Sequence, residues 1–77
     1  MPPPVFEVGQ CVRIARDAPE AGLTQGAIGV VVLIFDTPER AYEVEFVDAD
    51  GDTIAELPFS EEDLLSVEPS VPTAPDS

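Results

Sequence analysis

Hydrophobic and polar residues alternate with a period of two through the middle of this chain, the signature of half-buried β-strands. In Cys11-Val12-Arg13-Ile14-Ala15 the alternation turns Val12 and Ile14 inward and leaves Cys11 and Arg13 on the opposite face. Asp17 to Gly26 holds Pro19, Gly22 and Gly26 and reads as a long loop, with Leu23 folded back as an anchor. Ala27 to Phe35 is the strongest strand, rich in the β-branched residues that suit a pleated surface. Asp36-Thr37-Pro38-Glu39-Arg40 breaks it. Tyr42 to Val47 alternates cleanly, with Tyr42, Val44 and Phe46 on one side and Glu43 and Glu45 on the other. Asp48-Ala49-Asp50-Gly51 supplies turn chemistry, and Asp52 to Leu57 forms the return strand. Ser60 to Asp63 predicts one helical turn, with Ser60 as N-cap and acids in the first turn. Leu64 to Val67 closes as a last short strand.

Five short strands, a long first loop and one helical turn before the last strand predict an all-β, five-stranded SH3-like small barrel. The barrel is expected over residues 10–67, within a folded unit that runs from about Phe6 to Val67. An extended Pro-rich leader (1–9) precedes it, and a disordered Pro/Ser-rich tail (68–77) follows.

The hairpin register follows from its turn. A four-residue loop at 48–51 sets Val47 opposite Asp52, Phe46 opposite Thr53, Val44 opposite Ala55 and Tyr42 opposite Leu57, one continuous apolar side. The other side pairs Glu45 with Ile54 and Glu43 with Glu56, a like-charge pair that costs up to about 1 kcal/mol. The strand 27–35 is apolar on both sides: Ile28, Val30, Val32 and Ile34 form one row, Val31, Leu33 and Phe35 the other. Two readings stay open. The strand bends at Gly29 and serves both halves of a small barrel, which is the simpler reading, or one row lies exposed beside Glu43, Glu45 and Glu56 as a docking face of aliphatics bordered by acids.

Charge changes the picture more than any motif. Against 16 acidic residues the chain carries three arginines and no lysine or histidine, a net charge of -13 on 77 residues. Such a surface repels phosphate backbones and anionic membranes and attracts basic surfaces. A hydrophobic content of 44% still sets the chain apart from the disordered class. No apolar run approaches the roughly 20 residues that span a bilayer. The N-terminus has no basic residue before an apolar stretch, so it does not read as a secretory signal, and a cytoplasmic setting is expected. With one cysteine there is no internal disulfide, and without histidine a thiolate or imidazole metal site has almost no ligands. Acid–base chemistry would rest on carboxylates alone, and none is singled out by its position. No catalytic residue, metal site or cofactor is expected.

Several local patterns resemble sites and have simpler explanations. Asp48-Ala49-Asp50-Gly51-Asp52 resembles the start of a calcium loop, with acids at positions 1, 3 and 5. Thr53 then stands where the loop's glycine belongs and Phe59 where its bidentate glutamate belongs, so a hairpin turn is the reading. Ser60-Glu61-Glu62-Asp63 reads as helix capping. Gly22, Gly26 and Gly29 precede no Lys-Ser/Thr and do not form a phosphate loop. Cys11 has only Arg13 nearby to stabilise a thiolate and reads as structural or incidental. Arg13, Arg16 and Arg40 offset neighbouring acids; three cations are too few for a nucleic-acid footprint.

From Val12 to Val67 the chain resembles a family of small bacterial domains of unknown function, common in cyanobacteria. The resemblance is carried by Val12-Arg13-Ile14, by Gly22-Leu23-Thr24-Gln25-Gly26-Ala27-Ile28-Gly29-Val30-Val31, by Tyr42 to Thr53 and by Asp63-Leu64. It implies an SH3-like barrel, no established activity and no catalytic residues. The stretch Leu23-x-x-Gly26-x-x-Gly29-x-Val31 also resembles the start of KOW-type barrels, which contact RNA and ribosomes; this chain departs from them in the sign of its charge.

The expected function is a small protein-interaction module docking a basic protein partner. It could serve as the neutralising half of a toxin–antitoxin or immunity pair, or as an accessory subunit. The residues expected to carry it are Glu43, Glu45 and Glu56, with Asp48, Asp50 and Asp52 adding to the field and Ile54 among them. The alternatives are a DNA mimic that blocks a nucleic-acid-binding effector and, last, an enzyme using paired carboxylates. Nucleic acid and membrane are not expected as partners. Monomer and homodimer both remain open.

Overall fold

The alternating segments pair into one antiparallel sheet. The computed structural model describes residues 3–67, so the tail expected at 68–77 and the first two residues of the leader lie outside the described residues. Its strands are β1 (Cys11–Ile14), β2 (Ile28–Phe35), β3 (Ala41–Val47), β4 (Thr53–Phe59) and β5 (Leu64–Ser66), in the order β4-β3-β2-β1-β5. Among the described residues the only helical elements are 3-10 turns at Pro19–Ala21 and Glu61–Asp63. The fold is all-β and five-stranded, an arrangement compatible with a small SH3-like barrel.

β2 is the strand both halves share. Its first residues pair with β1, Arg13 facing Ile28 and Cys11 facing Val30; from Val30 onward it pairs with β3. A bulge lies between these halves. Val31 faces Val44 and Leu33 faces Glu43, so Val32 has no counterpart on β3. One extra residue bends a strand and resets its alternation. Ile34, opposite Tyr42, therefore packs against the core with Val31, while Leu33 and Phe35 emerge on the outer side with Ile28. The expected rows are corrected beyond Val31, and the irregularity sits at Val32 rather than Gly29. Gly29 serves close approach instead. A Cβ there would lie 2.6 Å from Val44 Cγ1, 2.7 Å from the Glu45 carbonyl oxygen and 2.9 Å from Phe46 Cδ1.

The β3–β4 register differs from the expected one by two residues. Val47 faces Thr53 because the loop also takes in Asp52; Phe46 faces Ala55 because Ile54 forms a second bulge. Val44 then meets Leu57, and Tyr42 meets Phe59. A slip of two keeps every side chain on its own face, so the apolar side stays intact while the pairs on the other side change. β4 runs on through Pro58, which is tolerated because β4 is an edge strand.

Core packing follows these registers. Tyr42, Val44 and Phe46 meet Val12, Ile14, Val31, Phe59 and Leu64, all buried, and the Phe46 and Phe59 rings stack edge-on at 6.1 Å. Leu23 is buried and bridges Ala18, as an anchor should. The nominal leader also contributes. Phe6 is buried edge-on against Tyr42 at 5.2 Å, and the Val5 N–H donates to the Tyr42 hydroxyl at 3.0 Å, so the fold begins before residue 10. Ser60 does not cap the backbone of the second 3-10 turn; its hydroxyl donates to the Asp63 carboxylate at 3.2 Å.

A candidate acidic docking face

Side chains alternate across β3, so burying Tyr42, Val44 and Phe46 necessarily turns Glu43 and Glu45 to the outer side of the sheet. The corrected register sets Glu45 directly opposite Glu56 and Glu43 opposite Pro58. The expected pairs, Glu43 with Glu56 and Glu45 with Ile54, are replaced. Glu56 nevertheless touches both acids in effect. Partial burial, a hydrogen bond to Glu56 and repulsion from it hold the Glu43 carboxyl above the usual carboxylate range. Glu45 is braced on its other side by the Thr53 hydroxyl, which donates to Oε2.

The outer row of β2 runs alongside these acids. Val30 pairs with Glu45 and Leu33 with Glu43. Ile28, Leu33 and Phe35 remain 54%, 49% and 39% exposed, respectively. An exposed apolar row bordered by acids is therefore present, built from a row that the bulge at Val32 rearranges. Arg13 and Cys11 stand beyond β2 on the other flank, both exposed.

Asp48, Asp50 and Asp52 crowd the exposed tip of the β3–β4 hairpin, with carboxylate oxygens that lie within 4.8 Å of one another. The local reason is a turn. Asp48 Oδ1 accepts the N–H of Asp50 at 2.9 Å and of Asp52 at 3.0 Å, and Gly51 takes the left-handed φ of 86° that closes the loop. Ile54, exposed in its bulge, lies between this tip and Glu56 along β4.

Two of the three arginines pair away from this face. Arg16 pairs with Asp63 at 3.2 Å and lies over the Phe59 ring at 4.9 Å. Arg40 pairs with Asp36 at 2.6 Å and Glu61 at 3.4 Å, and also hydrogen-bonds Tyr42, whose hydroxyl donates to Glu61. Among the described residues, no ion pair reaches Glu43, Glu45, Glu56 or the three aspartates of the tip. Two of the three cations are thus spent at the far ends of β3 and β4, and the third, Arg13, stands across β2 from the glutamates with no ion pair to them.

An open cleft of about 280 Å³ lies between residues 37–41 and Pro58, Phe59 and Ser60, with Arg40 on its wall. Glu43 and Glu56 lie outside it, on the outer face. The Glu43–Glu56 pair does not line this cleft. Sequence reasoning undervalued Leu33 and Phe35. The available signal was a strand apolar on both faces beside a strand of alternating glutamates.

No helix of the described residues is long and apolar enough to cross a membrane. Comparison with curated proteins and with solved structures gives no match to either. Residues 10–66, by contrast, match the model of a domain of unknown function, DUF4926, and span all five strands of the sheet; the chain belongs to the DUF4926 family.

Proposed function

We propose that this domain is a non-enzymatic interaction module that docks a basic protein partner through the outer face of its sheet. The observation that carries the reading is the juxtaposition on that face. Glu43, Glu45 and Glu56, without a cationic partner among the described residues, border the exposed side chains of Ile28, Leu33 and Phe35. Burial of aliphatic side chains supplies affinity, and the acids supply orientation and speed of encounter. The hairpin aspartates extend the same field toward an approaching partner. Such a module suits the neutralising half of a toxin–antitoxin or immunity pair, or an accessory subunit, in a cytoplasmic setting. The net charge of -13 disfavours nucleic acid and anionic membrane as partners.

The test is an affinity capture from the native host at low salt, repeated with Glu43, Glu45 and Glu56 all changed to Gln. A basic protein retained by the wild type, released by salt and lost by the triple variant supports the reading. Capture of the same protein by both baits, with the same sensitivity to salt, shows that these acids do not carry the interface and refutes it.

A further inference from the structure

Resting on the docking reading, we infer that the segment bound on this face is an amphipathic α-helix of about four turns, with basic residues along one flank only. Three observations lead there. The exposed aliphatic row runs along β2 from Ile28 to Phe35, a span of about 23 Å at about 3.3 Å per residue, which a helix of about 15 residues matches. The row is bordered asymmetrically: Glu43 and Glu45 on β3, with Glu56 beyond, stand on one side, whereas Arg13 faces Ile28 from the other. A helix basic on both flanks would set a cation against Arg13, so the flank toward β1 is neutral or acidic. Finally, β2 pairs with β1 over Ile28–Val30 and with β3 from Val30 to Phe35, and β3 pairs on with β4, so the outer face across these strands presents side chains rather than main-chain groups. An added strand needs a free edge, at β4, which carries Pro58, at β5 or along β2 beyond its pairing with β1, and would lie beside the sheet rather than over the exposed row. A second copy of this chain fits poorly, because it brings the same charge of -13 and, among its described residues, only 3-10 turns.

The experiment uses the full chain and synthetic fluorescent peptides of ~15 residues, read by anisotropy at low salt. One peptide places leucines at helical three-and-four spacing with lysines along one flank. A second permutes the same residues so that no apolar stripe forms. The helical peptide should bind at least about tenfold more tightly than the permuted one and gain helicity on binding. Leu33→Ser and Ile28→Ser, in opposite halves of the row and outside the core, should each weaken it by about tenfold. Equal binding of the two peptides, lost with the Glu-to-Gln triple variant, overturns the helix inference and leaves docking by charge standing. Unchanged affinity in both serine variants also overturns it. If neither peptide binds, the inference falls, and the host capture judges the docking reading separately.

Discussion

Replacing Gly29 with Ala tests whether the approach of β2 to β3 sets the whole outer face. The added Cβ would sit 2.6 Å from Val44 Cγ1, 2.7 Å from the Glu45 carbonyl oxygen and 2.9 Å from Phe46 Cδ1, distances at which something must shift. Val44 is fully buried and Phe46 nearly so, and the Glu45 oxygen belongs to the backbone, so none can simply swing aside. Overpacking of this kind costs about 1–3 kcal/mol. The gain from restricting the unfolded chain, about 0.4–1 kcal/mol for Gly→Ala, works in the opposite direction and is outweighed. For a domain of this size 1 kcal/mol moves the melting temperature by about 4–8 °C, so a net loss of about 1.3 kcal/mol lowers Tm by about 5–10 °C. Thermal and urea unfolding followed by far-ultraviolet circular dichroism measure it. Because Val30 and Glu45 are neighbours on the opposite side of the same contact, binding of the amphipathic peptide should weaken in the same variant. A Tm equal to or above that of the wild type would refute the close-approach argument, since an unhindered Gly→Ala change stabilises.

Phe6→Ala should cost about 3–5 kcal/mol, because it removes a buried ring stacked on Tyr42, and urea unfolding would show a chain near or past its midpoint in water; near-wild-type stability would return residue 6 to an external leader. Tyr42→Phe should cost about 1–2 kcal/mol by leaving the Val5 N–H and the Glu61 carboxylate without the hydroxyl, measured the same way. Glu43 is held above its ordinary pKa of 4.5, so the folded state binds its proton more readily than the unfolded state. Its contribution to stability is therefore full below 4.5 and lost as pH rises through the higher folded value. Glu43→Gln should raise Tm at neutral pH and flatten the Tm–pH profile in that window; parallel profiles would contradict it. Asp48→Ala should cost about 1 kcal/mol through the loss of its two turn hydrogen bonds, whereas Asp50→Asn should be neutral or slightly stabilising in thermal unfolding.

Strand identity was legible in the sequence because the period of two is local. Val12, Ile14, Tyr42, Val44 and Phe46 are inward as their alternation requires, and Glu43 and Glu45 are outward for the same reason. The net charge and the absence of lysine and histidine likewise follow from composition, and they set the sign of the surface field before the fold is known. Register was not legible. A slip of two residues satisfies the same alternation, so only the fit of Leu57 to Val44 and of Phe59 to Tyr42 selects the pairing that sets Glu45, not Glu43, opposite Glu56. The bulge at Val32 was hidden because every residue from Val30 to Phe35 is apolar, and such a run carries no mark of where alternation restarts. That bulge brings Leu33 and Phe35 out beside the glutamates. Alternation is a property of one strand, but a face is a property of several strands held in register by a shared core, and only the tertiary structure contains it.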